Sequence, residues 1–284
     1  MTVPIRIDLA GKVAVVTGGG GVLCSRMAQA LAECGAKVAV LDLNLDAAEA
    51  VAGPLRDEGL CARGFAANVL ERPSLEAAAE RIRAEFGPCD LLLNGAGGNH
   101  PGGTTSKEWL DAADLDEPSL TTFFDLDPQN IQRVFNLNFL GTLIPSQVFA
   151  RQMVGRPGCS IINISSMNAF RPLTKIPAYS GAKAAVSNFT QWLAVHFAKA
   201  GIRVNALAPG FFITSQNRAL LMDQATGEFT ARSRKILEHT PMGRFGEAGE
   251  LVGTLLWLAS EPASGFVNGV VVPIDGGFSA YSGV

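Results

Sequence analysis

The amino-acid sequence predicts an α/β fold, a doubly wound parallel sheet with helices on both faces. Two features predict it. Short, nearly continuous apolar runs, such as Val-Ala-Val-Val at positions 13–16, alternate along the chain with longer stretches of helical periodicity. Continuous apolar runs are typical of strands that are buried on both faces, as in parallel sheets. Because parallel strands are joined by right-handed crossovers, ligands are expected at the carboxyl ends of the strands.

The predicted strands and helices alternate in chain order. Each strand is a short apolar run, and each helix is a longer stretch with apolar residues on one face. The strands are expected at residues 12–17, 37–41, 62–66, 89–93, 160–164, 203–207 and 270–273. The helices are expected at residues 25–34, after the second strand to about 58, 75–86, 131–153, 179–200 and 247–260.

The domain organisation is expected to be simple. No internal repeat and no Pro- or Ser-rich linker divides the chain, so we expect one domain over residues 1–284. Residues 98–127 interrupt the alternation with a turn-rich stretch of seven Asp or Glu against one Lys, and residues 211–240 mix short helical pieces with glycine. Loops of this length in a compact domain are usually functional. We expect a substrate loop near 98–127 and a substrate cover near 211–240.

Composition excludes several classes of function. A net charge of −3 and 48% apolar residues indicate a globular protein whose main partner is neither nucleic acid nor a membrane. The first residues lack an apolar stretch long enough for a signal peptide or a membrane span. The five cysteines show no Cys-x-x-Cys spacing and the three histidines are scattered, so we expect no disulfide framework and no metal site. A cytoplasmic protein with reduced thiols fits this composition best.

A glycine-rich turn, Thr17-Gly-Gly-Gly-Gly-Val-Leu-Cys24, follows the first predicted strand. Its backbone N–H groups could approach a pyrophosphate at the start of the first helix, although such turns also occur without a nucleotide. Asp42 ends the second strand, 24 residues after Gly18. Its carboxylate could accept hydrogen bonds from both adenosine ribose hydroxyls and would repel a 2′-phosphate, which favours NAD over NADP. A solvated aspartate at the end of a strand is the alternative.

Tyr179 and Lys183 are four residues apart. Residues at this spacing share a face of a helix, so the phenol and the ammonium would lie side by side. A nearby cation lowers the pKa of a tyrosine from its usual value of about 10, which suits the phenol to exchange a proton with an alcohol. A pair of this kind also occurs by chance, so its interpretation depends on the surrounding motifs.

With the glycine turn and Asp42, the segment Asn94-Gly-Ala-Gly97 and the Tyr179/Lys183 pair resemble the short-chain dehydrogenase/reductase family. The resemblance runs from about residue 9 to residue 277 and implies a Rossmann-type, NAD-dependent enzyme. It implies that Tyr179 is the general acid/base and that Ser166 stabilises charge on the substrate oxygen. It also implies that Lys183 binds the nicotinamide ribose and lowers the pKa of Tyr179, and that Asn138 holds a water between Lys183 and solvent.

The resemblance further implies a set of cofactor contacts, from the glycine turn to the nicotinamide. They are Gly18, Gly20, Gly21, Val22, Leu23, Asp42, Asn68, Val69, Asn94, Gly95, Ala96, Tyr179, Lys183, Pro209, Gly210, Phe212 and Thr214. The sequence departs from the family pattern at four positions. Val22 and Cys24 replace glycines of the turn, Asn68 replaces an aspartate, and Gly95 replaces an asparagine. We expect Gly20 and Gly21 to provide the close approach instead.

Substrate contacts are expected from the loops after Asn94 and Ser166 and from the cover. Amide, imidazole and guanidinium groups there suit a polyhydroxylated anion better than a steroid or an acyl chain. The acidic residues of 108–127 would repel such an anion, so we expect them to face outward. The expected contacts are Asn99, His100, Asn168, Arg171 and Arg218, with Gln216 and Asn217 beside the last.

Four segments narrow the resemblance further. They are similar to the branch of the family that contains D-mannonate oxidoreductase: Thr-Gly-Gly-Gly-Gly at 17–21, Gly-Gly-Asn-His-Pro at 97–101, Ser-Met-Asn-Ala-Phe-Arg at 166–171 and the ending at 275–284. That branch implies NAD-linked interconversion of D-mannonate and D-fructuronate. Other functions stay open: a dehydrogenase of the same fold for another polyol, keto-acid or hydroxy-acyl substrate, a non-catalytic NAD sensor, or a structural assembly protein. The intact Tyr179/Lys183 pair weighs against the last two.

The family resemblance also implies a homo-oligomer, either a dimer or a tetramer. The contacts would lie on the helices at 131–153 and 179–200 and on the last strand, and the ending from residue 278 could reach a neighbour's site. Apolar side chains on the second helix would supply surface for this contact, although the ordinary role of such a stripe is in the core. They are Val186, Phe189, Trp192, Leu193 and Phe197.

Overall fold

The computed structural model describes residues 7–214, 218–223 and 226–283, which contain a seven-stranded parallel sheet. Every predicted strand is present, and the order across the sheet is β3-β2-β1-β4-β5-β6-β7. The strands are β1 (Val13–Thr17), β2 (Lys37–Asp42), β3 (Ala62–Ala66), β4 (Leu91–Asn94), β5 (Cys159–Ile164), β6 (Ile202–Pro209) and β7 (Val271–Ile274). The predicted doubly wound α/β fold is confirmed.

Helices cover both faces of the sheet. Within the described residues they are α1 (Val22–Glu33), α2 (Leu45–Asp57), α3 (Arg72–Glu85), α4 (Pro128–Phe135), α5 (Gly141–Ala150), α6 (Pro177–Phe197), α7 (Arg218–Leu221), α8 (Ala231–Glu238), α9 (Val252–Ala259) and α10 (Glu261–Ser264). None of these described helices has the length and the apolar content needed to cross a bilayer.

The core consists of two apolar layers, one on each side of the sheet. Met27 of α1 and Leu255 of α9 are buried on one side, and Leu75 of α3 and Phe149 of α5 are buried on the other. Because the strands are covered from both sides, all five residues of β1 are buried. Burial on both faces explains why the strands are nearly continuous apolar runs rather than alternating ones.

The helix predicted at 131–153 is interrupted in the structure. α4 ends at Phe135, a wider π turn follows over Asn136–Leu140, and α5 then begins at Gly141. Inside the π turn, the Asn138 side chain donates a hydrogen bond to the carbonyl of Val134 at 2.8 Å, which supplies a partner where the helix widens. Turns of this type occur frequently at functional sites. The helix predicted at 247–260 likewise begins with a 3₁₀ turn, Ala248–Leu251, before α9.

Candidate active site

The carboxyl ends of three central strands lie level with one another. Thr17 of β1 is in register with Asn94 of β4, and Asn94 is in register with Asn163 of β5. The chain leaves β1 and β4 toward opposite edges of the sheet, which opens the crevice where doubly wound folds bind ligands. The glycine turn, the loop after Asn94 and the loop that begins at Ser166 meet at this crevice.

The glycine turn is packed too tightly for side chains. A Cβ at Gly18 would lie 2.9 Å from the backbone nitrogen of Ala96, and a Cβ at Gly19 would lie 2.5 Å from Cγ1 of Val40. Among the described residues, no side chain caps α1 and no acidic residue lies in its first turn. The first N–H groups of α1, including those of Val22 and Leu23, are therefore oriented to bind an anion.

Asp42 lies beside the glycine turn, half-buried at the end of β2. Its Oδ2 accepts a hydrogen bond from the backbone N–H of Gly20 at 3.1 Å, and its Oδ1 accepts one from Asn44 at 3.2 Å. A Cβ at Gly20 would approach Oδ2 to 3.0 Å, so glycine at this position leaves room for the carboxylate. The backbone thus holds the charge of Asp42 at the mouth of the turn.

Asn68 and Val69 precede α3. Nδ2 of Asn68 donates to Oε1 of Glu71 at 2.9 Å, and its Oδ1 accepts the N–H of Leu70 at 3.0 Å. Val69 is buried. Asn68 therefore closes the turn that leads into α3, where the family pattern has an aspartate, and the cofactor contact of Asn68 and Val69 stays a prediction.

The end of β4 is held by hydrogen bonds from its neighbours. Nδ2 of Asn94 donates to Ser146 of α5 and to Asn163 of β5, both at 2.9 Å. The hydroxyl of Thr17 accepts the next two backbone N–H groups, those of Gly95 and Ala96, at 3.1 and 3.3 Å. No role was predicted for Thr17 from the sequence, although a hydroxyl residue at the end of the first strand is a signal for such a contact.

The last of the predicted cofactor contacts lie at the end of β6 and just after it. The N–H of Gly210 donates to the carbonyl of Ile274 at 2.9 Å, and a Cβ at Gly210 would lie 2.6 Å from Cα of Asp275. Pro209 ends the strand, Phe212 is buried, and Thr214 is half-buried. This segment and the start of the C-terminal segment therefore form one wall of the crevice.

Ser166, Tyr179 and Lys183 come together at the end of β5. Tyr179 lies in the first turn of α6, and Lys183 lies one turn later with its ammonium 5.7 Å from the centroid of the Tyr179 ring. Lys183 is 3% exposed and donates a hydrogen bond to the carbonyl of Ile164 at 2.7 Å. Ser166 is buried, and its hydroxyl accepts the N–H of Asn168 at 3.3 Å.

Burial dominates the electrostatics of these groups. Burial lowers the pKa of Lys183 from 10.5 to about 8. Burial also raises the pKa of Tyr179 above its ordinary value, and a hydrogen bond with the Ser166 hydroxyl opposes this rise. Burial thus outweighs any lowering of the Tyr179 pKa by Lys183, and that lowering stays a prediction. Desolvation of the phenolate has the largest effect, and the ammonium is directed at the Ile164 carbonyl.

Asn138 fixes the base of the loop after β4. Its Nδ2 donates to the carbonyl of Gly98 at 2.8 Å, and its Oδ1 accepts the N–H of the same residue at 3.2 Å. A Cβ at Gly97 would lie 2.6 Å from Oδ1 of Asn138 and 3.2 Å from Nζ of Lys183. Asn138 and Lys183 thus approach the same glycine from two sides, and a water between Lys183 and solvent stays a prediction.

Asn99 and His100 lie exposed on the substrate loop. Nδ2 of Asn99 donates to the hydroxyl of Thr104 at 3.1 Å, and Nδ1 of His100 accepts the N–H of Gly102 at 3.1 Å. A ring nitrogen that accepts a hydrogen bond carries no proton, so the ring proton of His100 is assigned to Nε2. His100 can therefore offer a hydrogen-bond donor to a ligand.

The other candidate substrate residues are less uniformly placed. Asn168 is buried, and its Oδ1 has no hydrogen-bond partner among the described residues. Arg171 is exposed, and its Nε donates to the carbonyl of Ser279 at 3.1 Å, which attaches the C-terminal segment to the loop after Ser166. Arg218 is exposed at the start of α7. Gln216, Asn217 and the last residue, Val284, lie outside the described residues.

The acidic part of the substrate loop corrects one expectation. Glu108 does not face outward into solvent, since it pairs with Lys235 of α8 and so joins the substrate loop to the cover. This hydrogen bond lowers the pKa of the Glu108 carboxyl. Asp114 is also buried and accepts a hydrogen bond from Lys107 at 2.7 Å. The five remaining acidic residues are exposed as expected: Asp111, Asp116, Glu117, Asp125 and Asp127.

Comparison with known proteins places this crevice in a family. The family model described as short chain dehydrogenase matches residues 12–225. The chain belongs to the short-chain dehydrogenase family. It is an oxidoreductase of this family. A Haemophilus influenzae relative named as an uncharacterized oxidoreductase is 57% identical over 284 residues, which cover 100% of this chain and 99% of that protein. The family resemblance read from the sequence is confirmed.

Two solved structures share the fold over nearly the whole chain. One, from Haemophilus influenzae, is provisionally named a D-mannonate oxidoreductase and contains NAD; it is 56% identical with a TM-score of 0.94 and covers 100% of both chains. The other is a gluconate 5-dehydrogenase from Burkholderia cenocepacia in complex with NADP and tartrate. It is 32% identical with a TM-score of 0.83 and covers 98% of this chain and 99% of its own.

Metal chemistry has no visible centre in the described part of the chain. No group of three or more His, Cys, Asp or Glu side chains there is placed to hold a metal ion.

Proposed function

We propose that this short-chain dehydrogenase uses NAD to interconvert a secondary alcohol and a ketone on a sugar acid, with D-mannonate and D-fructuronate as the pair. The observation that carries the proposal is the meeting of Ser166, Tyr179 and Lys183 at the end of β5, beside the glycine turn. Similarity to the Haemophilus structure, named for D-mannonate and containing NAD, supports the choice of substrate and cofactor.

The glycine turn and Asp42 fit NAD. The free N–H groups at the start of α1 suit a pyrophosphate, and the carboxylate of Asp42 suits the ribose hydroxyls and disfavours a 2′-phosphate. When bound, the nicotinamide accepts the hydride from the carbinol carbon of the substrate. The remaining proposed contacts are Gly18, Gly20, Gly21, Val22, Leu23, Asn68, Val69, Asn94, Gly95, Ala96, Tyr179, Lys183, Pro209, Gly210, Phe212 and Thr214.

The protein side chains manage the proton and the charge. In oxidation, Tyr179 would remove the proton of the substrate hydroxyl, and in reduction it would return that proton. Ser166 would donate a hydrogen bond to the substrate oxygen and stabilise the charge that develops there. Because burial lowers the pKa of Lys183 to about 8, its ammonium could also release a proton near neutral pH, with Asn138 holding a water on the path to solvent.

The proposed substrate is a polyhydroxylated anion. His100 can donate from Nε2 and Asn99 can bind hydroxyl groups through its amide. Arg171 uses Nε for Ser279, so its two terminal nitrogens are left to supply positive charge near the carboxylate. Arg218 and Asn168 complete the proposed set. Within a single domain, residues 98–127 would act as the substrate loop and residues 211–240 as the cover.

We also propose a homo-oligomer that forms through α4, α5, α6 and the last strand, β7. Val186 and Leu193 of α6 are buried in the core, as the ordinary role of an apolar stripe predicts. In contrast, Trp192 is 57% exposed and stacks on His196 with the ring centroids 4.8 Å apart. An exposed aromatic surface of this kind marks an interaction site.

The five cysteines are free thiols, which supports the cytoplasm as the compartment.

The deciding experiment is an assay of NADH formation with a panel of aldonates, hexuronates, neutral polyols and simple secondary alcohols. NAD and NADP are run in parallel. The expected result is NAD-dependent turnover of D-mannonate well above that of every other compound. Higher turnover of D-gluconate would favour the second candidate, a gluconate-type dehydrogenase like the Burkholderia relative. Turnover of neutral alcohols alone would refute the sugar-acid proposal while leaving the dehydrogenase.

A further inference from the structure

Lys175 has a backbone conformation that normally belongs to glycine. Among the described residues, fifteen glycines have a positive φ, and Lys175, with φ of 71°, is the one other residue that does. A residue with a Cβ is disfavoured in this conformation because the Cβ approaches the following carbonyl oxygen. Backbone strain of this kind persists where the surrounding structure enforces it, and it is concentrated at active sites and ligand clamps.

The surroundings of Lys175 belong to the candidate site. It lies two residues before α6, whose first turn carries Tyr179. Its carbonyl accepts the N–H of Thr105 at 2.9 Å, which ties the loop after Ser166 to the substrate loop. A glycine at position 175 would keep this hydrogen bond and the same start of α6 without strain. The backbone therefore gives no reason for a lysine here, and the reason lies in the side chain.

The charges around Lys175 come from all three segments that border the crevice. Glu108 of the substrate loop pairs with Lys235 of the cover, and the charges of Lys175 and Arg232 also lower the pKa of its carboxyl. One carboxylate is thus near three cations, and Lys235 is its direct partner. The ammonium of Lys175, which is half-buried, forms no hydrogen bond or ion pair with the residues that the structure describes.

We propose that Lys175 is a specificity-determining residue that binds the carboxylate of the sugar-acid substrate. This inference rests on the proposed function and deepens it, since it names the group that separates sugar acids from neutral polyols. A carboxylate and an ammonium form a charge-assisted hydrogen bond. The hydrogen bond to Thr105 and the start of α6 fix the backbone of Lys175 between the substrate loop and Tyr179, so little backbone freedom is lost when the carboxylate binds.

Three substitutions separate the charge from the backbone. Lys175→Gly keeps the backbone conformation and removes the ammonium, Lys175→Asn does the same with a side chain that tolerates a positive φ, and Lys175→Arg keeps the charge. With NAD, we expect the Gly and Asn variants to raise the KM for D-mannonate about ten- to a hundredfold, as for a lost charged partner. We expect kcat/KM for D-mannitol to change by less than about twofold, because a neutral polyol makes no ion pair. Lys175→Arg should stay within about fivefold of wild type for D-mannonate.

A second readout follows from the strain itself. Lys175→Gly should melt about 1–3 °C above wild type because the strain is relieved. The variant would then be more stable than wild type and still bind its substrate more weakly. If turnover of D-mannitol is too slow to measure, its inhibition constant against D-mannonate replaces kcat/KM.

The contrary results are distinct. A wild-type KM for D-mannonate in Lys175→Gly overturns the inference, because that variant lacks the ammonium. An equal loss for D-mannonate and D-mannitol also overturns it, since the geometry of the loop and not its charge would then be responsible. A wild-type enzyme that oxidises no sugar acid removes the proposed function and this inference together. An active wild type with an unaffected Lys175→Gly variant removes the inference alone.

Discussion

The thiol of Cys24 fills the space that a side chain at position 95 would need, since a Cβ at Gly95 would lie 2.2 Å from its Sγ. Cys24 lies in α1, and Gly95 follows β4. Both are departures from the family pattern, a side chain in place of a glycine and a glycine in place of an asparagine. The two departures compensate each other in one contact. The helix therefore stays close to the strand, as the third glycine of the pattern normally allows.

Gly95→Ala should disrupt this contact. The added methyl group overlaps the thiol, so we expect the free energy of unfolding to fall by about 1–3 kcal/mol and the affinity for NAD to fall with it. In the double variant Cys24→Gly/Gly95→Ala, part of the loss should be recovered because the thiol is gone, while the carbonyl oxygen of Thr17 still lies 2.9 Å from the added methyl group. Chemical denaturation and NAD titration of both single variants and the double variant complete a double-mutant cycle.

Gly253→Ala in α9 is the matched control, because no atom lies within 4 Å of the position of its Cβ. Since alanine favours a helix over glycine, this control should gain up to about 1 kcal/mol. If the losses of stability in Cys24→Gly and Gly95→Ala simply add in the double variant, the two departures are independent and the compensation is refuted.

Tyr179 should titrate above its ordinary value, because burial raises its pKa. The chain has two tyrosines, so ultraviolet titration of a Tyr281→Phe variant observes Tyr179 alone. Without NAD, we expect the midpoint above 10.0, the ordinary value. For alcohol oxidation, which needs the phenolate, kcat/KM should rise with pH through the same midpoint. A midpoint below 10.0 would instead mean that Lys183 lowers the pKa of Tyr179, as the sequence suggested.

Tyr179→Phe in the same background is the control for this titration. The variant should show no phenolate signal below the unfolding transition, and its turnover should fall by about 10²- to 10⁴-fold as for a lost acid–base group. Its affinity for NAD should change by less than about threefold, because one hydroxyl is a small part of the proposed cofactor site. Retained turnover would remove Tyr179 from the mechanism.

The strands could be predicted from sequence because burial on both faces makes each of them an unbroken apolar run. The π turn at Asn136–Leu140 could not, since it inserts one residue into a helical period that otherwise continues from α4 to α5. Periodicity identifies a helix over many residues and is insensitive to one irregular turn. The Tyr179/Lys183 pair was visible because both members lie on one helix, where spacing determines which residues are neighbours.

Contacts between distant segments were the part that the sequence did not reveal. The packing of Cys24 against Gly95 joins residues 71 positions apart, so each was visible only as an isolated departure. Glu108 was expected to face outward because its loop is acidic, yet it forms an ion pair with Lys235 of α8. The strained backbone of Lys175 has no sequence signal, because a lysine in a loop ordinarily has a negative φ.

Asp42 should determine the choice between NAD and NADP. In Asp42→Asn the carboxylate charge is lost, while a side-chain oxygen remains to accept the N–H of Gly20. We expect kcat/KM with NAD to fall about ten- to a hundredfold, because hydrogen bonds from charged acceptors are the strong ones, and kcat/KM with NADP to rise. Asp46→Asn removes the same charge four residues later, at an exposed position, and should leave the ratio unchanged. An unchanged ratio in Asp42→Asn would contradict the proposed ribose contact.

Lys183 should make the stability of the folded protein rise with pH. Below pH 8 the folded state bears the full cost of a buried ammonium, because burial lowers the pKa of Lys183 from 10.5 to about 8. As the pH rises from 8 to 10.5, the unfolded state alone retains this proton, so the free energy of unfolding increases. Relative to Lys183→Met, wild type should gain about 3 kcal/mol between pH 7 and the end of this window.

The comparison with Lys183→Met cancels contributions that do not vary with pH, such as the hydrogen bond to Ile164. Denaturation midpoints at several pH values without NAD provide the measurement. Val154→Met, just after α5, is the control, because it replaces an exposed side chain that carries no titratable group. If the difference in the free energy of unfolding between wild type and Lys183→Met does not change from pH 7 to 10.5, Lys183 is solvated in solution. In that case it would have no lowered pKa to contribute to proton transfer.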